Sequence, residues 1–234
     1  MIKVIAFDVF GTVVDWHGSI KRHVDGLQLD VDGGEFASAW RAGYAPAMDK
    51  VRSGQLGWTR IDDLHRMILD EIIDRFGLSM DEEARARLNL IWHRLDPWPD
   101  SPPGLWRLKS AFTICTLSNG NIGLLTDMAK HAGLPWDCVL SAEVFRHYKP
   151  DPQTYLGVCE VFGIEPQQML MAAAHKSDLR AAKACGCQTA YIERPFEFGT
   201  APDALAQKDL TVDPDFDYHA RDIHDLATQL VKTP

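Results

Sequence analysis

Four short stretches of the chain set polar groups at the ends of apolar runs. Asp8 and Thr12 follow residues 2–7, Ser118-Asn119-Gly120 follows residues 112–117, Lys149 lies in His147-Tyr148-Lys149-Pro150-Asp151, and His175 and Asp178 follow Ala172-Ala173-Ala174. In an open parallel sheet the carboxyl ends of the strands gather along one edge, and ligands bind there. Two carboxylates, a lysine and small hydroxyls on one edge suit covalent chemistry: one carboxylate attacks, and the cation and hydroxyls fix its charge and direction.

The elements that must bring these groups together are legible in the apolar pattern. Residues 2–7, 112–117, 138–140, 169–173 and 189–192 are short apolar runs bounded by turn or charged residues, with helix-like segments between them. Such alternation predicts βαβ units and a parallel sheet, hence an α/β class. Between about Asp15 and Pro97 the period is helical: Phe36, Trp40, Tyr44 and Ala47 form one stripe, and Ile61, Leu64, Ile68, Ile72 and Phe76 a second that stops at Gly77. Four prolines within residues 97–103 read as a rigid return to the α/β part. The expected division is a Rossmann-like core of residues 1–14 and 98–234 with a helical cap of residues 15–97 inserted after the first strand. Residues 223–231 read as a closing helix. Trp16, Trp40, Trp58 and Trp106 read as packing residues.

Composition narrows the function. The 234 residues are 46% hydrophobic and 24% charged, an ordinary globular balance. The formal charge of −9 and the lack of any basic run argue against nucleic acid as a partner. A small anionic substrate would need a local cationic pocket. No stretch reaches the roughly 20 apolar residues that cross a bilayer, and the first residues run straight into a strand, so no membrane and no targeting segment is expected. Five cysteines, an odd number in apolar settings, suit reduced thiols in a cytoplasm. Neither Cys185-Gly186-Cys187 nor the nine histidines form a metal-ligand pattern.

Together the four motifs resemble those of the haloacid dehalogenase superfamily, whose first motif is usually Asp-x-Asp-x-Thr. The resemblance spans nearly the whole chain. Here that motif reads Asp8-Val9-Phe10-Gly11-Thr12, so Phe10 stands where the second carboxylate would be. The departure has a chemical reading. Expelling an alkoxide from a phosphate ester calls for a general acid, worth about 10²–10⁴-fold, whereas halide leaves as a stable anion without a proton. One carboxylate with an aromatic beside it therefore suits carbon–halogen cleavage. Within the superfamily the pattern resembles the L-2-haloacid dehalogenases.

That resemblance implies specific roles. Asp8 attacks C2 of a short (S)-2-haloalkanoic acid, a haloacetate or 2-halopropionate, to form an ester that water then cleaves to the 2-hydroxy acid. Lys149 keeps Asp8 ionised, since a cation within about 4–6 Å lowers a carboxylate's pKa. Asp178 positions or activates the water, Thr12 and Asn119 hold the geometry, and the Ser118 hydroxyl with loop amides receives the substrate carboxylate. Arg41 and Asn119 receive the halide, and Phe10 and Tyr155 line the site. The fourth motif departs from its best-known form, which has a serine and an asparagine upstream of the aspartate: this chain reads Ala173-Ala174-His175-Lys176-Ser177-Asp178, with Ser177 where an apolar aromatic is often found. His175 is placed to bond Asp178 or the water, or to line the halide pocket.

No cofactor and no metal is expected, and the family often forms homodimers. Blander readings stand beside these: Asp8 as a turn cap, Asp178 as a helix N-cap, Lys149 as a loop lysine and Arg41 as a solvated cap residue. A Mg²⁺-dependent phosphatase of a small metabolite on the same fold and a catalytically silent anion-binding protein are the alternatives.

Overall fold

A computed structural model describes residues 1–231. Its elements run, in chain order, β1 (Val4–Phe7), β2 (Val14–Asp15), α1 (Trp16–Gly26), α2 (Gly33–Ala42), α3 (Tyr44–Arg52), α4 (Ile61–Arg75), α5 (Glu82–Asn89) and β3 (Asp96–Pro97). They continue as α6 (Ser101–Lys109), β4 (Thr113–Ser118), α7 (Ile122–Ala132), β5 (Cys138–Ser141), α8 (Ala142–Phe145), α9 (Pro152–Phe162), β6 (Met169–Ala173) and α10 (Lys176–Ala184). The last are β7 (Gln188–Ile192), α11 (Pro202–Leu205), β8 (Tyr218–Ala220) and α12 (Ile223–Leu230).

Six strands form one parallel sheet in the order β5-β4-β1-β6-β7-β8. Helices cover both faces, so the strands are apolar on both sides instead of alternating. In β1, Val4 and Ala6 enter one core cluster while Ile5 and Phe7 enter the other. β1 lies centrally, between β4 and β6, which puts Asp8 in the middle of the carboxyl edge. β8 lies where only loop was legible in the sequence.

α1 to α5 leave the sheet edge through β2 and return through β3, which pair antiparallel as Val14 with Pro97 and Asp15 with Asp96. The two predicted stripes are buried here, except Phe76, which is half-buried. The first spans two helices, α2 and α3, that meet at Gly43, where the Ile68 side chain packs so closely that there is no space for a Cβ. Trp16, Trp40 and Trp92 are fully buried in a cluster continuous with the sheet core. Trp106 is not a packing residue: it is 59% exposed, because on α6 the inward positions are taken by Leu105 and Leu108. The proline-rich return is partly helical, with Pro102 and Pro103 in the first turn of α6, where their missing N–H groups cost nothing. All five cysteines are free thiols. Among the described residues no helix is long and apolar enough to cross a membrane.

Candidate active site

The site grows out of the end of β1. Asp8 extends the ladder by one bond, its N–H donating to the Ala172 carbonyl at 3.0 Å, so its backbone is as fixed as the strand. The chain then turns tightly, Val13 N–H donating to Val9 O and Gly11 N–H to Val14 O. Gly11 takes φ +81°, and a Cβ there would collide with the Glu197 carboxylate; only glycine meets both demands. The turn delivers Thr12, fully buried, whose hydroxyl donates to Asp8 Oδ2 at 2.7 Å and accepts the Ala174 N–H at 2.8 Å.

Lys149 reaches the same carboxylate from the loop before α9, its Nζ donating to Asp8 Oδ1 at 2.9 Å and to Asp178 Oδ2 at 2.5 Å. Asn119 ties two loops together by accepting the Lys149 backbone N–H at 2.8 Å, and its amide nitrogen faces Met48 Sδ at 3.3 Å. Asp178 lies in the first turn of α10, where a negative charge is favoured, but the residue at the N-cap is His175. Tyr155 donates to Asp178 Oδ1 at 2.5 Å, so both Asp178 oxygens are engaged.

His175 does not meet Asp178. Its Nδ1 lies 2.9 Å from Asp8 Oδ2 and its Nε2 lies 2.8 Å from Glu197 Oε1. Glu197, fully buried in the loop after β7, also accepts from Lys208 and from the Trp16 indole N–H. Neither Glu197 nor Lys208 stands in a recognisable motif. The sole sequence signal is a carboxylate set between two phenylalanines, in Pro195-Phe196-Glu197-Phe198-Gly199.

Charges are strongly coupled. Burial works to raise the Asp8 pKa, but the Lys149 ammonium and His175, with the Thr12 hydrogen bond, outweigh it and hold the carboxyl far below its ordinary value. Burial likewise opposes the charge on Lys149, and Asp178 and Asp8 overcome it, raising its pKa. His175 is pushed up to about 9 because Glu197 and Asp8 outweigh its burial. Glu197 falls to about 2 as His175 and Lys208 outweigh desolvation.

Asp8, Lys149, His175 and Asp178 floor a cavity of about 210 Å³ whose walls include Phe10, Arg41, Tyr44, Met48, Asn119, Tyr155 and Ser177. Phe10 is buried with its ring edge-on to Trp92, centroids 5.6 Å apart at 84°, and to Tyr44 at 6.4 Å. Nearby His65 is held neutral, burial pulling its pKa to about 3. Arg41 comes from α2 and lies over the Tyr44 ring, 4.3 Å from its centroid; among the described residues it has no carboxylate partner. Ser118 is off the cavity wall: it is fully buried and its hydroxyl accepts the Gly120 N–H at 3.1 Å.

The donor set does not fit a divalent cation. The Lys149 ammonium already bridges Asp8 and Asp178, and among the described residues no cluster of three His, Cys, Asp or Glu side chains could hold a metal.

A family model for haloacid dehalogenase-like hydrolases matches residues 2–186. The chain belongs to this family. The solved structure of an L-2-haloacid dehalogenase superposes with TM-score 0.93 at 45% identity, covering 99% of this chain and 100% of the other. A defluorinating L-2-haloacid dehalogenase gives TM-score 0.91 at 44% identity, covering 98% and 95%. The (S)-2-haloacid dehalogenase 1 of Pseudomonas sp. strain CBS-3 is 29% identical over 86% of this chain and 90% of its own. For a haloacid dehalogenase-like hydrolase, the cavity combines one fixed carboxylate at the centre of the sheet edge, a lysine between two acids, and an unpaired guanidinium on the opposite, helical wall.

Proposed function

We propose that the protein hydrolyses short (S)-2-haloalkanoic acids, such as haloacetate and 2-halopropionate, to 2-hydroxy acids through an ester on Asp8. The observation that carries this reading is Phe10: a buried aromatic cluster occupies the place where an acid for an oxygen leaving group would sit, beside a carboxylate fixed for attack. The names of the similar proteins support the same chemistry. The cavity's small volume suits a substrate of a few carbons.

In the first step Asp8 Oδ1, whose one hydrogen-bond partner is Lys149, attacks C2 from the side opposite the halogen, while Thr12 and His175 hold Oδ2. Pinning the carboxylate in this way lowers the entropy cost of alignment. Arg41 and the Asn119 amide offer donors to the departing halide, which an anionic chain must otherwise repel. Asp178 acts on Lys149, keeping the ammonium charged and directed at Asp8. Water then cleaves the ester at the Asp8 carbonyl and frees the hydroxy acid. The Lys149 ammonium already bridges Asp8 and Asp178, and the scheme uses only the chain's own side chains and water.

The test is free halide from chloroacetate and from each enantiomer of 2-chloropropionate, with and without EDTA. The expected result is EDTA-resistant halide from chloroacetate and the (S) enantiomer. Turnover of phosphate esters with Mg²⁺, and no halide, would overturn the proposal.

A further inference from the structure

Away from the cavity floor, one titratable cluster joins the helical insert α1–α5 to the sheet layer. His93 lies in the turn Leu90–Arg94 that closes the insert, its side chain 12% exposed, between two carboxylates. Its Nε2 lies 3.1 Å from Asp62 Oδ1 on α4, and its Nδ1 lies 2.9 Å from Asp127 Oδ2 on α7. A neutral imidazole has one N–H and donates to only one of these acids, whereas imidazolium donates to both. Asp62 in turn holds Asn121: the Asn121 amide nitrogen donates to Asp62 Oδ2 at 2.9 Å, and its oxygen accepts the Asp62 backbone N–H at 3.3 Å. Asn121 stands at the N-cap of α7 yet makes no cap bond there. A residue type that favours capping is spent on joining α7 to α4.

We propose that the His93 imidazolium is a positioning group for the carbon–halogen step: its proton clamps the insert to α7 and so keeps Arg41 and Asn119 on facing walls of one cavity. This role rests on the dehalogenase reading. The two halide donors come from different sides, Arg41 from α2 and Asn119 from the loop before α7, so their spacing is only as fixed as the seam between insert and sheet layer. The clamp reaches the cavity by two routes. Asn121 is two residues beyond Asn119 in the same loop, and Trp92, one residue before His93, meets the Phe10 ring at the cavity wall, centroids 5.6 Å apart. Loss of the proton leaves a lone pair facing a carboxylate. The arm to Asp127 then parts, because the Asp127 side chain is 61% exposed and turns to water, whereas Asp62 is held by Asn121.

Burial opposes the charge on His93, and its bonds to Asp62 and Asp127 outweigh burial, so its pKa lies above the ordinary imidazole value of 6.5. The other titratable groups facing it are neutral His65 on α4, Lys130 and His131 on α7, and Arg94 beside it in the chain. His131 is itself turned to Asp96 Oδ1, at 3.2 Å. α1 and α5 also pack on the turn, and among the described residues neither brings a carboxylate within ion-pair distance of His93. The clamp is therefore complete below pH 6.5 and is released as pH climbs through the raised pKa.

The test is single-turnover halide release from (S)-2-chloropropionate by the purified full chain, followed as pH rises from 6.5. The wild type is expected to lose rate as His93 titrates. D127N, a change at an exposed residue, moves that fall to lower pH, because one of the two anions favouring imidazolium is gone. H93R, whose guanidinium donates to both acids and does not titrate, removes the fall and keeps the low-pH rate. H93Q is slow at every pH, down about 10-fold or more, since a misplacement of about 1 Å costs about 10²-fold. A fall from His175, whose pKa is about 9, is common to all four proteins. A pH profile identical in the wild type and D127N overturns the proposal, as does an H93Q that only lowers the thermal midpoint and keeps the wild-type profile. Those results leave wild-type halide release, and with it the dehalogenase reading, in place. No halide from the wild type sinks that reading and this inference with it. If H93Q or H93R fails to fold, the comparison with D127N decides.

Discussion

Lys149 Nζ lies 2.9 Å from Asp8 Oδ1, with both side chains less than a tenth exposed. A buried ion pair of this kind is weak evidence for stability, since desolvation offsets much of its attraction. Its value here is directional: it keeps a carboxylate ionised in a cavity that would otherwise protonate it.

Lys149→Met leaves Asp8 and Asp178 without their shared cation. Halide release is expected to fall about 10²–10³-fold, the cost of deleting one preorganised charge donor, and stability by about 3–5 kcal/mol as a buried charge loses its partner. Chemical denaturation and a halide assay check both. Near-wild-type activity would remove Lys149 from the mechanism.

Phe10→Asp places a carboxylate among Trp92, Tyr44 and neutral His65. Lost aromatic packing alone costs about 3–5 kcal/mol, and the new acid has no partner there. A lower thermal midpoint and little remaining halide release are expected; an unchanged midpoint would mean the ring is not part of the core.

Arg41→Lys keeps a positive charge but loses the planar group that stacks 4.3 Å over Tyr44. Losing one charge-assisted contact of about 1.5–3 kcal/mol should lower kcat/KM by about 10–10²-fold while the thermal midpoint holds. Equal activity would show that Arg41 does not meet the leaving group.

Stability should carry the mark of His175. Its pKa rises from 6.5 to about 9 on folding, so its contribution is complete below pH 6.5 and is lost as pH climbs through about 9. Asp8 behaves oppositely: its folded pKa is depressed below 3.8, so its contribution is present above 3.8 and is lost as pH falls through the lower folded value. The wild-type unfolding free energy should therefore decline relative to that of His175→Asn between pH 6.5 and 9. A constant difference across that window contradicts the paired imidazolium.

Much of this arrangement was legible in the residues. Five of the six sheet strands announced themselves as short apolar runs because a sheet covered on both faces has no polar side. Asp8, Lys149 and Asp178 were marked by standing just past such runs or before a helix start. What stayed hidden was set by tertiary contact. β2, β3 and β8, of two or three residues each, are too short to show a period. The need for glycine at position 43 comes from Ile68, which packs against it from α4. His175 turned from Asp178 to Asp8 because Glu197, 22 residues onward in a loop, captures its far nitrogen. Ser118 turned inward because the Gly120 N–H needed an acceptor.

Covalent attack by Asp8 is tested most directly by one turnover in ¹⁸O-labelled water. With enzyme in excess over (S)-2-chloropropionate, the lactate formed should carry no label and the heavy oxygen should appear in the Asp8 carboxylate, located by peptide mass spectrometry. Label in the lactate, with Asp8 unlabelled, would mean that water attacks carbon directly and would contradict the ester mechanism.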